Sequence, residues 1–210
     1  MKTLLQIQSS LFNGSGQSSA LSREFVDEWT AANPGSRVVK RDLAADPVPH
    51  LTAERFQAFL AAPEARTPEQ QAIAGYSDAL IEELRAADVI VIGLPMYNFG
   101  VPSTLKAYFD HVARAGITFR YTDKGPEGLL TGKKVYVFAA RGGLYVGTPN
   151  DTQTPYVRDF LRFIGLADVE FVYAEGLAMG DSAKSKALET AGQAIRLIAS
   201  QPREALAAAA

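Results

Sequence analysis

The sequence predicts a doubly wound α/β fold, a five-stranded parallel sheet in the order 2-1-3-4-5 with helices on both faces. Two observations carry that expectation. Short apolar runs alternate with longer segments of helical period, and each run is bounded by polar, Gly or Pro residues. The length of 210 residues suits one domain, since a chain of this size removes roughly 70% of its unfolded surface from water.

Taken in order, strands are expected at Thr3–Gln8, Val38–Leu43, Val89–Leu94, Lys134–Ala140 and Val169–Ala174. Helical period places helices at Ser18–Ala32, Thr52–Ala62, Pro68–Ala86, Pro102–Ala115, Thr154–Ile164 and Asp181–Ser200. Thr67 before Pro68-Glu69-Gln70 is a start signal, because its hydroxyl can cap a turn whose first residue, a proline, has no N–H to leave unpaired. Asp181 is a similar start, and Asn33-Pro34-Gly35 closes the first helix. The folded unit is expected to span residues 1–200, with the Ala-rich 201–210 as a frayed tail.

Composition excludes several function classes. Hydrophobic residues at 47% and charged residues at 21% are ordinary globular values. The net charge is −2, and no run of Lys and Arg could neutralise a line of phosphates, which argues against nucleic acid. Cysteine is absent, so disulfides, thiolate nucleophiles and iron–sulfur clusters are excluded, and any redox chemistry must come from a bound cofactor. The N-terminus shows neither the apolar stretch of a signal peptide nor a spanning helix, so no membrane is expected and the cytoplasm is the expected location. His50 lies in a loop, His111 reads as a surface or interface residue, and the two are not spaced as metal ligands; no metal site is expected.

In this topology ligands bind where the strand order reverses, between the first and third strands. After the first strand, Gln8-Ser9-Ser10-Leu11-Phe12-Asn13-Gly14-Ser15-Gly16-Gln17-Ser18-Ser19 sets hydroxyls and bare backbone before a helix, which is what a phosphate needs. Neither the Walker pattern nor the dinucleotide glycine pattern is present. Taken alone, the segment is equally ordinary turn chemistry with Ser18 as a helix cap. After the third strand, Pro95-Met96-Tyr97-Asn98-Phe99-Gly100 places an amide and two aromatics at the sheet edge, suited to a flat heteroaromatic ring. After the fourth, Ala140-Arg141-Gly142-Gly143 lets backbone N–H groups approach a ligand, and donors aimed at the N1 and O2 edge of a flavin would favour its reduction.

These residues resemble the bacterial FMN-dependent NADH:quinone oxidoreductases, also called azoreductases, which have a flavodoxin-like fold. The resemblance runs to about Ser200 and rests on Ser9-Ser10 with Gln17-Ser18, Pro95-Met96-Tyr97-Asn98-Phe99 and Leu105-Lys106-Ala107-Tyr108-Phe109-Asp110. It continues through Arg114-Ala115-Gly116-Ile117-Thr118-Phe119-Arg120-Tyr121, Gly125-Pro126-Glu127-Gly128-Leu129, Thr131-Gly132-Lys133-Lys134 and Arg141-Gly142-Gly143. It implies that Ser10, Gln17 and Ser18 hold the FMN phosphate, that Met96, Tyr97, Asn98 and Phe99 line the ring, and that Arg141, Gly142 and Gly143 meet its polar edge. Gly16 and Ala140 stand where close relatives often have Ser, so each offers only its backbone N–H.

The resemblance further implies a homodimer with each active site built across the subunit boundary. Phe119, Tyr121, Phe163 and Tyr173 are the aromatics expected to receive substrate; core or surface packing is their competing explanation. The implied activity is ping-pong transfer of electron pairs from NADH or NADPH through the flavin to quinones and aromatic azo compounds. No side chain need be a catalytic nucleophile, because the flavin carries the chemistry. The rival is a flavodoxin-type electron carrier without a substrate pocket. Such carriers are usually shorter and more acidic, whereas −2 over 210 residues and an aromatic insertion at Phe119–Leu130 suit a small-molecule enzyme.

Overall fold

A computed structural model of the chain describes residues 1–12 and 14–200; the expected tail at 201–210 lies outside the described residues. The elements in chain order are β1 (Thr3–Gln8), α1 (Gln17–Ala32), β2 (Arg37–Asp42), α2 (Ala53–Leu60), a 3-10 turn (Pro63–Ala65), α3 (Pro68–Ala86) and β3 (Val89–Pro95). They continue with α4 (Ser103–Val112), β4 (Phe119–Thr122), β5 (Gly125–Gly128), β6 (Lys134–Ala140), α5 (Gln153–Phe163), β7 (Asp168–Ala174) and α6 (Asp181–Ala199). Five strands pair in parallel in the order β2-β1-β3-β6-β7, the flavodoxin-like arrangement.

Successive strand residues point to opposite faces, and both faces are covered. Leu5, Ile7, Ile90, Ile92, Leu94, Val135 and Val137 pack with residues of α3, α4 and α5. Leu4, Val89, Val91, Tyr136 and Phe138 pack on the other face with α1 and α6, around Phe25 and Trp29. The central β3 and β6 are buried at every residue, which is why they read as largely apolar runs, β6 from Val135 onward. Charged residues in β2, RVVKRD, mark it as an edge strand.

Local chemistry sets the element boundaries. Thr67 accepts from the Gln70 N–H at 3.3 Å while the Gln70 side chain accepts from the Thr67 N–H at 3.1 Å, so the expected start of α3 is a reciprocal capping box with Pro68 just inside it. At Gly93 an added Cβ would lie 3.2 Å from the Ser18 carbonyl oxygen; the missing side chain lets the first turn of α1 rest directly on β3. That contact brings the start of α1 to the carboxyl end of the sheet.

Two features differ from expectation. The insertion after α4 forms an antiparallel hairpin, β4–β5, joined by an Arg120–Glu127 ion pair at 2.8 Å. Its end is pressed onto the turn after α5: a Cβ on Gly128 would come within 2.0 Å of the Gly165 nitrogen. His111, expected at the surface or interface, is fully buried, because it lies on the inner side of α4 with its ring edge-on to Phe59 and Tyr76. Burial holds its imidazole below the ordinary His value even though Nδ1 lies 3.0 Å from the Ala107 carbonyl oxygen.

Candidate functional site

The three segments singled out at the sheet's carboxyl edge converge on one cleft of about 360 Å³. Strand register explains the convergence: Gln8 pairs with Gly93, Pro95 pairs with Ala140, and the Met96 N–H donates to the Ala140 carbonyl at 3.2 Å. Ser10, Gly16, Gln17, Ser18, Met96, Tyr97, Ala140, Arg141 and Gly142 all line it. Phe12, Ser15, Pro95 and Leu177 line it too. Phe12 and Ser15 belong to the loop already marked as phosphate chemistry, whereas Leu177 follows β7, where the sequence has no distinguishing motif. Asn98, Phe99 and Gly143 are adjacent without forming the wall. Asn13 lies outside the described residues.

At one end the cleft meets the start of α1. The cap residue Gly16 supplies no side-chain bond, and the first turn carries no acidic residue that would compete for its N–H groups. Ser18 Oγ is buried there and has no hydrogen-bond partner among the described residues. Leaving such a hydroxyl unpaired costs about 1–3 kcal/mol, a cost that an anion in the cleft would relieve. A Cβ on Gly16 would fall 2.2 Å from Ser10 Oγ, so glycine here leaves room for the Ser10 hydroxyl. Arg23 holds the loop from outside by donating to the Gly14 carbonyl at 2.7 Å.

The segment after β3 is a tight turn. The Tyr97 N–H donates to the Gly100 carbonyl at 3.2 Å and the Gly100 N–H donates back at 3.0 Å, with Asn98 at φ 49° and Phe99 at φ 64°. Two left-handed central residues are the mark of a type I′ turn, in which Asn is at home and Phe is strained by about 1–2 kcal/mol. Surrounding groups hold the turn. The Gln153 amide donates to the carbonyls of Pro95 at 2.9 Å and Gly100 at 3.1 Å, and the Thr152 hydroxyl donates to the Phe99 carbonyl. Phe99 meets Tyr145 edge-on at 5.7 Å. The Tyr97 hydroxyl accepts from the Leu11 N–H at 3.3 Å, which links this turn to the loop after β1.

After β6 the backbone and side chain of Arg141 part company. Its guanidinium is fully buried, donating to Gln153 Oε1 at 3.3 Å, Thr154 Oγ1 at 2.8 Å and Glu175 Oε1 at 3.1 Å, and pairing with Asp151 at 3.0 Å. Its N–H donates to the Ala174 carbonyl at 2.9 Å. The N–H groups of Gly142, Gly143 and Leu144 have no partner among the described residues, and of these three residues Gly142 lines the cleft. Gln153, Asp151, Thr154 and Glu175 therefore shape the site without lining it. They escape detection in sequence because their partner is a residue from another loop.

A family model described as a flavodoxin-like fold matches residues 1–198. The chain is 61% identical over 180 residues to an FMN-dependent NADH:quinone oxidoreductase of Cellvibrio japonicus, covering 86% of this chain and 90% of that one. It is 60% identical over 188 residues to an FMN-dependent NADH:quinone oxidoreductase of Alcanivorax borkumensis, covering 90% and 95%. The chain belongs to the FMN-dependent NADH:quinone oxidoreductase family. A solved structure of an FMN-dependent NADH-azoreductase from Bacillus anthracis in complex with FMN superposes with a TM-score of 0.86 at 26% identity, covering 95% of this chain and 98% of that one.

The cleft suits the cofactor in the family name. An orphaned buried hydroxyl beside a bare helix N-terminus fits a phosphate, and unpartnered glycine N–H groups fit the polar edge of a flavin ring. The four aromatics expected to receive substrate separate into two groups. Phe119 contacts Phe163 at 4.2 Å and Tyr121 at 5.6 Å, forming one cluster between β4 and the end of α5. Tyr173 lies apart on β7, stacked on Phe171, with its hydroxyl 3.1 Å from Thr154 Oγ1 and the Arg141 guanidinium over its ring. None of the four lines the cleft.

Proposed function

We propose that this protein is an FMN-dependent oxidoreductase that takes electron pairs from NADH or NADPH, reduces quinones, and cleaves aromatic azo compounds to amines. The observation that carries the proposal is the buried Ser18 hydroxyl at the start of α1, which has no partner among the described residues, in a cleft sized for a small ligand. FMN held in this cleft would supply two-electron redox chemistry between a reduced nicotinamide and the acceptor.

The chain's own residues bind and orient. Ser10, Ser18 and the N–H groups of Gly16, Gln17 and Ser18 hold the phosphate; Met96, Tyr97, Asn98 and Phe99 flank the ring; Gly142 and Gly143 donate to its polar edge. At positions 16 and 140 only backbone is offered. The role of Arg141 is to brace the loops, since its guanidinium is consumed by α5 and Glu175. Residues 1–200 act as one FMN-binding unit.

The aromatic cluster supports a shared site in a homodimer. Gln153 touches the turn after β3, and Phe163 lies at the far end of the same 11-residue helix, about 15 Å away along its axis. Phe119, Tyr121 and Phe163 therefore stand toward the opposite edge of the sheet from the cleft of their own chain. Tyr121 is 75% exposed on the hairpin, as suits a residue that closes over a partner's flavin. Tyr173 remains with its own subunit, beside Thr154 and Arg141. No helix among the described residues is long and apolar enough to cross a membrane, and the absence of cysteine suits the cytoplasm.

Anaerobic reduction tests the proposal. NADH or NADPH should bleach the flavin absorbance of the purified protein, and a benzoquinone should restore it. Flavin that binds but is reduced by neither nucleotide would favour the electron-carrier alternative.

A further inference from the structure

Glu175 follows β7 and is absent from the cleft wall, yet it is hydrogen-bonded to the loop whose Gly142 lines the cleft. Its Oε1 accepts from Arg141 Nη1 at 3.1 Å, the Tyr145 N–H at 2.9 Å and the Val146 N–H at 3.1 Å, and its Oε2 lies 3.3 Å from the Val146 nitrogen. The loop is tied along the same side by its carbonyls: Gly143 accepts from the Gly176 N–H at 2.9 Å and Gly142 accepts from the Ala178 N–H at 3.0 Å. The N–H groups of residues 145 and 146 are committed to the carboxylate, those of Gly142, Gly143 and Leu144 are unpartnered among the described residues, and of these Gly142 lines the cleft. The same Arg141 that pairs with Glu175 also donates to Gln153, whose amide grips the turn after β3. One carboxylate thus bears on two walls of the site.

We infer that Glu175 is a positioning residue of the flavin site, fixing the 142–146 loop through two backbone N–H groups so that the Gly142 and Gly143 donors are preset for the reduced form of FMN. The inference rests on the FMN function proposed above. It is not a charge effect. A carboxylate acting through space would disfavour the reduced, more negative cofactor, and its removal would make reduction easier; a carboxylate acting through the loop makes reduction easier while it is present.

The opposite signs allow a decisive test with the FMN-loaded protein, reading the two-electron midpoint potential by anaerobic dye equilibration. Glu175→Gln keeps an oxygen at the same reach but loses the charge, and its potential should stay near that of the wild type. Glu175→Asp keeps the charge but withdraws the oxygen by one methylene. It should lose about tenfold in preference for reduced over oxidised FMN, about 30 mV lower for a two-electron couple. Glu175→Ala should fall with Glu175→Asp. Asp151→Asn, which alters the other ion pair of Arg141 without touching residues 145 and 146, should lower Tm while leaving the potential in place. Equal potentials for all the Glu175 variants, or a rise in Gln and Ala together, would overturn the inference. Wild-type protein that takes up no FMN would instead overturn the proposed function, and this inference with it.

Discussion

Ser18→Ala should move apo-protein stability and cofactor affinity in opposite directions. Ser18 Oγ is buried at the first turn of α1 with no partner among the described residues, a situation that costs about 1–3 kcal/mol. Alanine removes the unpaired group and is the better helix former, so the apo protein should gain about 1 kcal/mol, or about 2–4 °C in Tm for a chain of this size. With FMN the sign reverses, because a hydrogen bond to a charged phosphate is worth about 1.5–3 kcal/mol. At about 1.4 kcal/mol per decade, Kd should rise about 10- to 100-fold. Thermal unfolding of the apo variant and an FMN titration followed by flavin fluorescence give the two numbers. An apo Tm that falls while FMN affinity stays unchanged would show that Ser18 is a structural cap and would refute the phosphate assignment.

Other perturbations address the remaining parts of the site. Asn98→Ala should cost about 1 kcal/mol through the left-handed φ of 49° and should weaken FMN retention or slow its reduction by NADH; Asn98→Gly keeps the turn, so a loss of retention there isolates the amide. Burial pushes the Asp151 carboxyl up, but hydrogen bonds from Thr154 and pairing with Arg141 outweigh it and hold the group below the ordinary Asp value. A folded-state pKa below the unfolded one stabilises the fold above the unfolded value, about 3.9, and that contribution is lost as pH falls through the folded value. Asp151→Asn should therefore lie below the wild type in Tm at neutral pH, with the difference shrinking below about pH 4. If the site is shared, Tyr121→Ala and Asn98→Ala subunits, each impaired alone, should regain turnover when mixed and refolded together; mixtures no better than the average of the two would place each site within one chain.

How much of this was legible in the sequence depends on whether the signal is local. The inner strands were readable because a strand buried on both faces must be apolar at successive positions, as Val89–Leu94 and Lys134–Ala140 largely are. The start of α3 was readable because Thr67, Pro68 and Gln70 form a cap within four residues. The β4–β5 hairpin was not: FRYT and GPEG have no alternation of buried and exposed residues, and the hairpin owes its position to Gly128 packing on Gly165. In the site, the Ser- and Gly-rich loop after β1 and the Met96–Phe99 turn stand out by residue type. The brace beneath them does not, since Arg141, Gln153 and Glu175 become related only when three loops meet.

The central claim is that a monophosphate is seated at the start of α1 while a flat ring lies beside the turn after β3. Its most direct measurement is the absorbance spectrum of the folded, gel-filtered protein after incubation with excess FMN, joined to mass spectrometry of the ligand released on denaturation. One FMN per chain, with flavin bands shifted from those of free FMN, is the result the account predicts; a colourless protein that releases no FMN would contradict it.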